Sequence, residues 1–134
     1  MTQARRAIVF FCHGSRKPQW REPFDRLLAE FQRRCPDTPA ALSFLELMTP
    51  GLPETIEAMV SQGARKVTVV PLFLAPGSHT RVDLPAMLDA ARVRWPEVGF
   101  DAIESLTEDD QIRHAIVERA VGLSGSTRRD SEPS

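Results

Sequence analysis

Four short β-prone apolar runs, each followed by a segment of helical periodicity, constrain the fold more than any other feature of the chain. The first run, residues 7–11, is Ala-Ile-Val-Phe-Phe without a polar break, the form a strand takes when both of its faces are covered. Gly14 ends it. From Trp20 onward, Phe24, Leu27, Leu28 and Phe31 recur at helical spacing and make one apolar stripe that stops near Pro36. A second strand over 41–45 leads to Thr49-Pro50, which reads as the N-cap and first position of a helix carrying Leu52, Ile56, Met59 and Val60. Gly63 suits the C-terminal cap of that helix.

Residues 66–74 hold Val67, Val69, Val70, Leu72 and Phe73 and form the most strand-like segment, although Pro71 within it needs an edge, a bulge or an unpaired position. Thr80 is expected to cap a third helix, with Asp83 completing a capping box and Leu84, Leu88, Ala91 and Trp95 forming the buried stripe before Pro96. A fourth strand over 98–103 and a fourth helix over 107–121, turning Ile112, Ile116 and Ala120 inward, complete the series. The order predicts an α/β fold: a flavodoxin-like three-layer sandwich whose four-stranded parallel sheet runs 2-1-3-4 with helices on both faces. One domain is expected over 1–122, and the Ser-, Gly- and Arg-rich residues 123–134 read as a disordered tail.

In this topology ligands bind at the carboxyl ends of the strands. His13 follows the first strand, Glu46 ends the second and His79 follows the third, so two imidazoles and a carboxylate fall at one edge of three adjacent strands. With strands about 4.8 Å apart, groups on the outer two can converge across about 10 Å. Imidazole nitrogens with a carboxylate oxygen suit iron, cobalt, nickel or zinc without closing a thiolate cage, and both groups can accept protons. Taken singly, a histidine after a strand is as well explained by local hydrogen bonding; it is the convergence of three positions that points to a site.

Arg16, Lys17 and Arg21 cluster beyond His13, and Arg81 follows His79 at a helix start, where unpaired N–H groups also favour anions. This reads either as a binding rim for a polyanion or as a solvated basic surface. Ser15, Gly77 and Ser78 let backbone approach a ligand or serve as turn residues. Cys12 points away from His13 by strand alternation and is expected to be a buried thiol. His114, among charged residues in the last helix, reads as a solvent-facing side chain.

The formal net charge of −1 leaves no basic field for nucleic acid, and no apolar run is long enough to span a membrane. Two cysteines without CxxC spacing argue against a disulfide scaffold or structural zinc, and the start of the chain lacks a cleavable leader, so the expected location is cytoplasmic.

HGSRKPQWREPF at 13–24, FLELMTPGLPE at 44–54 and PLFLAPGSHTRVDLP at 71–85 resemble the small, single-domain sirohydrochlorin chelatases of the CbiX and SirB type. The resemblance implies a class II chelatase fold and ATP-independent insertion of Co2+ or Fe2+, with Ni2+ also chemically suited, into sirohydrochlorin on the way to cobalamin or sirohaem. By motif position it implies that His13 and His79 handle metal and protons and that Glu46 is the acidic member; Arg16, Arg81, Ser15 and Ser78 are substrate-contact candidates from charge and turn placement. It implies no permanently bound cofactor, the metal being substrate, and a homodimer, since short members resemble half of the two-domain ones. Two other readings stand beside it: a carrier of metal or tetrapyrrole without turnover, and a histidine phosphatase, the latter weakened because Cys12 stands where Arg-His-Gly would place an arginine.

Overall fold

The computed structural model describes residues 5–75 and 78–125, the stretch 78–82 through its backbone alone. Its parallel strands are β1 (Arg6–Cys12), β2 (Ala40–Phe44), β3 (Lys66–Pro71) and β4 (Gly99–Ala102), ordered β2-β1-β3-β4 as expected. The α-helices are α1 (Glu22–Arg34), α2 (Leu52–Ser61), α3 (Ser78–Arg94) and α4 (Asp110–Ser124), with short 3₁₀ helices at Pro18–Arg21 and Leu106–Glu108. Among the described residues no helix is long and apolar enough to cross a membrane.

β1 is unbroken apolar because it pairs on both edges and is covered on both faces. Its odd residues Ala7, Val9 and Phe11 join Val67, Val69 and Phe100 under α2 and α3, through Leu52, Ile56, Met59, Leu84 and Leu88. Its even residues Phe10 and Cys12 join Leu42 and Phe44 under the apolar side of α1, where Trp20, Phe24, Leu28 and Phe31 pack. Pro71 closes β3, so its missing N–H interrupts no central ladder bond.

Three details differ from the sequence reading. Thr49 is not an N-cap: α2 starts two residues later, with Gly51 as N-cap and the second proline, Pro53, in the first turn. Thr80 is not a cap either, because α3 already begins at Ser78. Finally, α4 does not turn Ile112, Ile116 and Ala120 inward; none of its residues is buried, and it continues to Ser124 with Gly125 left-handed at its end. It begins at Asp110 rather than 107, and Asp109 caps it, accepting from the Gln111 and Ile112 N–H groups. Gly63, in contrast, follows the α2 C-cap with φ of 99°, the left-handed conformation expected there. The expected tail from residue 126 onward lies outside the described residues.

Pairing of β1 with β2 runs past both strand ends: Leu45 N–H donates to the Cys12 carbonyl at 2.8 Å and Glu46 N–H to the His13 carbonyl at 3.1 Å. The two loops lie so close that a Cβ on Gly14, whose φ is 95°, would overlap the Glu46 carbonyl oxygen. Gly14→Ala therefore combines a left-handed penalty with a backbone clash, and about 1–3 kcal/mol of stability is expected to be lost. Chemical denaturation of the two proteins measures it; an unchanged midpoint would mean that the loops separate freely.

Cys12 is free and wholly buried, as alternation implied, while Cys35 is half-buried. Burial pushes the Cys12 thiol from its ordinary 9.0 up to about 12, with Arg21 opposing and Asp25 adding to the shift. The unfolded chain ionises this thiol near 9 whereas the folded chain keeps the proton to about 12, so its contribution to stability is complete below pH 9 and declines across that window. A disulfide reagent at about pH 8 should titrate one thiol in the folded protein and both after denaturation; rapid reaction of both in the native state would contradict the burial.

Candidate active site

His13 is the first residue beyond β1, and it is exposed at the carboxyl edge of the sheet. Its ring lies against Phe73, with centroids 4.2 Å apart and planes inclined at 56°. Phe73 is itself buried just past the end of β3 and meets Phe11 edge-on at 5.7 Å. The imidazole is thus packed from the neighbouring strand by an aromatic wall that is anchored in the core. The contact of Phe73 with His13 follows from the fact that β1 and β3 are neighbours in the sheet.

Glu46 sits two residues after β2, exposed, with its backbone held to that of His13 by the bond described above. Sequence convergence is therefore met at the backbone level for two of the three positions. His79 is the second residue of α3, directly after the β3 loop; its side chain, with those of Ser78 and Arg81, lies outside the described residues, as does Gly77. Among the described residues no group of three or more His, Cys, Asp and Glu side chains is gathered for a metal.

Ser15 accepts the Lys17 N–H at 3.1 Å, a turn bond that still leaves its hydroxyl proton free to donate. Arg16 and Lys17 are exposed and extend the basic rim. Arg21 does not belong to that rim: it turns over the Phe44 ring at 4.9 Å and pairs with Asp25 at 3.2 Å. His114 is exposed on α4, as read from its surroundings in sequence.

Beside the histidine, a cavity of about 590 Å³ opens at the carboxyl ends of β3 and β4, lined by Phe73, Leu84, Leu88, Ala102, Ile103 and Arg92 among others. That volume is in the range of small-molecule sites; beside its apolar floor it is lined by the carboxylates of Asp89, Asp101, Glu104 and Glu108 and by Arg92. Phe73 is the shared wall: one side meets His13, another lines the cavity. The cavity lies further toward β4 than the β2-β1-β3 edge singled out in the sequence.

Against known proteins, the CbiX family model matches residues 7–122. The sirohydrochlorin cobaltochelatase of Methanococcus maripaludis S2 is 35% identical over 143 residues, which cover 87% of this chain and 99% of that protein. The sirohydrochlorin ferrochelatase of Priestia megaterium is 34% identical over 117 residues, 84% of this chain but 42% of the relative, so the chain spans less than half of that protein. Among solved structures, a CbiX protein from Marinobacter aquaeolei VT8 superposes with a TM-score of 0.72 at 30% identity, covering 90% of this chain and 99% of its own. The sirohydrochlorin chelatase SirB from Bacillus subtilis subspecies spizizenii, solved in complex with cobalt, superposes with a TM-score of 0.73 at 28% identity, over 89% of this chain and 51% of SirB. With the family model spanning nearly the whole ordered fold and a relative matched along almost all of its length, the chain belongs to the CbiX family.

Proposed function

We propose that the chain is an ATP-independent metal chelatase that inserts Co2+ or Fe2+ into a sirohydrochlorin-type tetrapyrrole, in cobalamin or sirohaem biosynthesis. The observation that carries this reading is His13, exposed at the carboxyl edge of β1 with Phe73 behind it, in a chain whose CbiX-family match runs through all three motif segments. The names of the relatives, cobaltochelatase and ferrochelatase, support both metals.

Insertion replaces two pyrrole N–H protons by one dication, so the site must release a metal and accept two protons in the same space. Imidazoles are suited to this: each offers one nitrogen lone pair, either to a labile metal or to a proton. His13 and His79 are assigned these tasks, and Glu46 is the acidic member that can take up the second proton or steady the incoming dication. The metal is substrate here, and no resident cofactor is invoked. The tetrapyrrole carries peripheral carboxylates, which Arg16 and Arg81 are suited to meet bidentately, with Ser15 and Ser78 as further donors. Since this chain matches 51% of SirB, a homodimer would supply the second half of the cleft, and the working location is taken as the cytoplasm.

Anaerobic spectrophotometry of sirohydrochlorin with Co2+ or Fe2+ tests the proposal. The wild-type chain should accelerate metallation over the protein-free reaction, His13→Ala and His79→Ala should each lower the rate by about 100-fold or more, and Glu46→Gln by less. Rates equal to the protein-free control with the tetrapyrrole still bound would make the chain a carrier instead; hydrolysis of phosphoesters would point to the phosphatase chemistry of an adjacent histidine and arginine.

A further inference from the structure

The motif segment at 44–54 gives the proposed chemistry only one residue, Glu46, and the residue after it has an unusual backbone. Leu47 has φ of 68° and is the one left-handed residue other than glycine among the described residues. In this conformation Cβ crowds the following carbonyl, so such positions fall mostly to glycine, asparagine or aspartate. The core does not explain a leucine here, because Leu47 is 55% exposed. A single exposed leucine needs no explanation, nor does a single left-handed residue in a loop. Their coincidence at one position, beside a candidate site, does.

The loop holds Leu47 in place from both sides. Leu45 N–H donates to the Cys12 carbonyl at 2.8 Å and Glu46 N–H to that of His13 at 3.1 Å, so the chain is fixed up to the residue before it. Beyond it Met48 is half-buried against the cluster of Phe10, Cys12, Leu42 and Phe44, and Phe44 N–H donates to the Pro50 carbonyl at 3.0 Å, closing the loop. An apolar side chain is thus presented to solvent between two anchored points, next to Glu46 and one strand across from His13.

Charge decides what covers it. On the far side of His13, past Phe73, the cavity at the ends of β3 and β4 is lined by Asp89, Asp101, Glu104 and Glu108, and its Arg92 is already paired with Asp89 at 2.8 Å. A polycarboxylate ligand meets like charge there. On the near side the sign is reversed: Arg16 and Lys17 are exposed in the segment that leads from His13 to α1, the helix over β1 and β2. A ligand that is flat and apolar at its centre and anionic at its edge fits the near side and not the far one. We propose that Leu47 is a substrate-contact residue that packs against the tetrapyrrole ring and holds it over the loops after β1 and β2, with its carboxylates toward Arg16 and Lys17. This deepens the function proposed above and rests on it for the identity of the ligand.

Its test measures binding without metal, which separates it from turnover. Metal-free sirohydrochlorin is titrated into the wild type and variants and followed by its own absorbance, and each protein is also unfolded in urea. Glycine removes the side chain and relieves the left-handed backbone together, so Leu47→Gly should unfold at the wild-type urea concentration or above it while its affinity falls about 10-fold or more. Leu47→Met, which keeps an apolar side chain, should stay within about 3-fold of wild-type affinity. Val93→Ala, at the 83%-exposed penultimate position of α3, should bind as the wild type does. Unchanged affinity in Leu47→Gly would place Leu47 off the ligand, a lowered urea midpoint would make it a residue of the fold, and a changed oligomeric state in sedimentation would make it an interface residue; each overturns the assignment. Binding weakened in Leu47→Gly, with no metallation by the wild type, would support the contact and overturn the chelatase reading, whereas a wild type that does not bind sirohydrochlorin would overturn both.

Discussion

The pairing of β1 with neighbours on both sides is the constraint on which the rest of the structure depends. Because β1 is central, its carboxyl end is flanked by the ends of β2 and β3, and whatever follows these three strands must meet. His13 inherits its surroundings from this arrangement: the Glu46 backbone from one side, Phe73 from the other. The loops have no freedom to drift apart, since the ladder is extended by two bonds beyond β2 and Gly14 leaves no room between them. A glycine at this point is required by φ and by contact at once, which is why a motif beginning His-Gly is a physical statement and not only a signature.

How much of this was legible in the sequence depends on the range of the interaction concerned. β1 and β3 were readable because full burial demands unbroken or β-branched apolar residues, although the strand read over 66–74 closes at Pro71, the residue that cannot donate to the ladder. The strand order followed from general rules of connection. Helix starts were less legible. Thr49-Pro50 and Gly51-Leu52-Pro53 both offer an extended residue followed by a proline in the first turn, and local chemistry does not choose between them; burial of Leu52 at the root of the core does. Thr80 has the right spacing to Asp83 for a capping box, yet α3 begins before it.

The α4 stripe is a different kind of misreading. Its period was seen correctly, but periodicity reveals that a helix has an apolar side and says nothing about what that side faces. The 3₁₀ helix at Leu106–Glu108 sets where the helix starts, and its backbone bonds to Phe73 and Leu74, just past β3, depend on tertiary position and leave no mark in the sequence. The site was legible in the same divided way. His13 and Glu46 could be placed at one edge by counting strands, whereas the role of Phe73 as the wall behind His13 depends on side-chain packing just beyond the strand ends, which strand order alone does not give.

Phe73 joins the histidine to the rest of the carboxyl edge. Its ring contacts His13 and lines the cavity, and its carbonyl accepts the Leu106 N–H at the root of α4. Side chains in a close-packed core transmit displacement because there is little empty space to absorb it. The edge-on contact of Phe73 with Phe11 resists such displacement, holding the ring that backs His13 to the centre of the sheet.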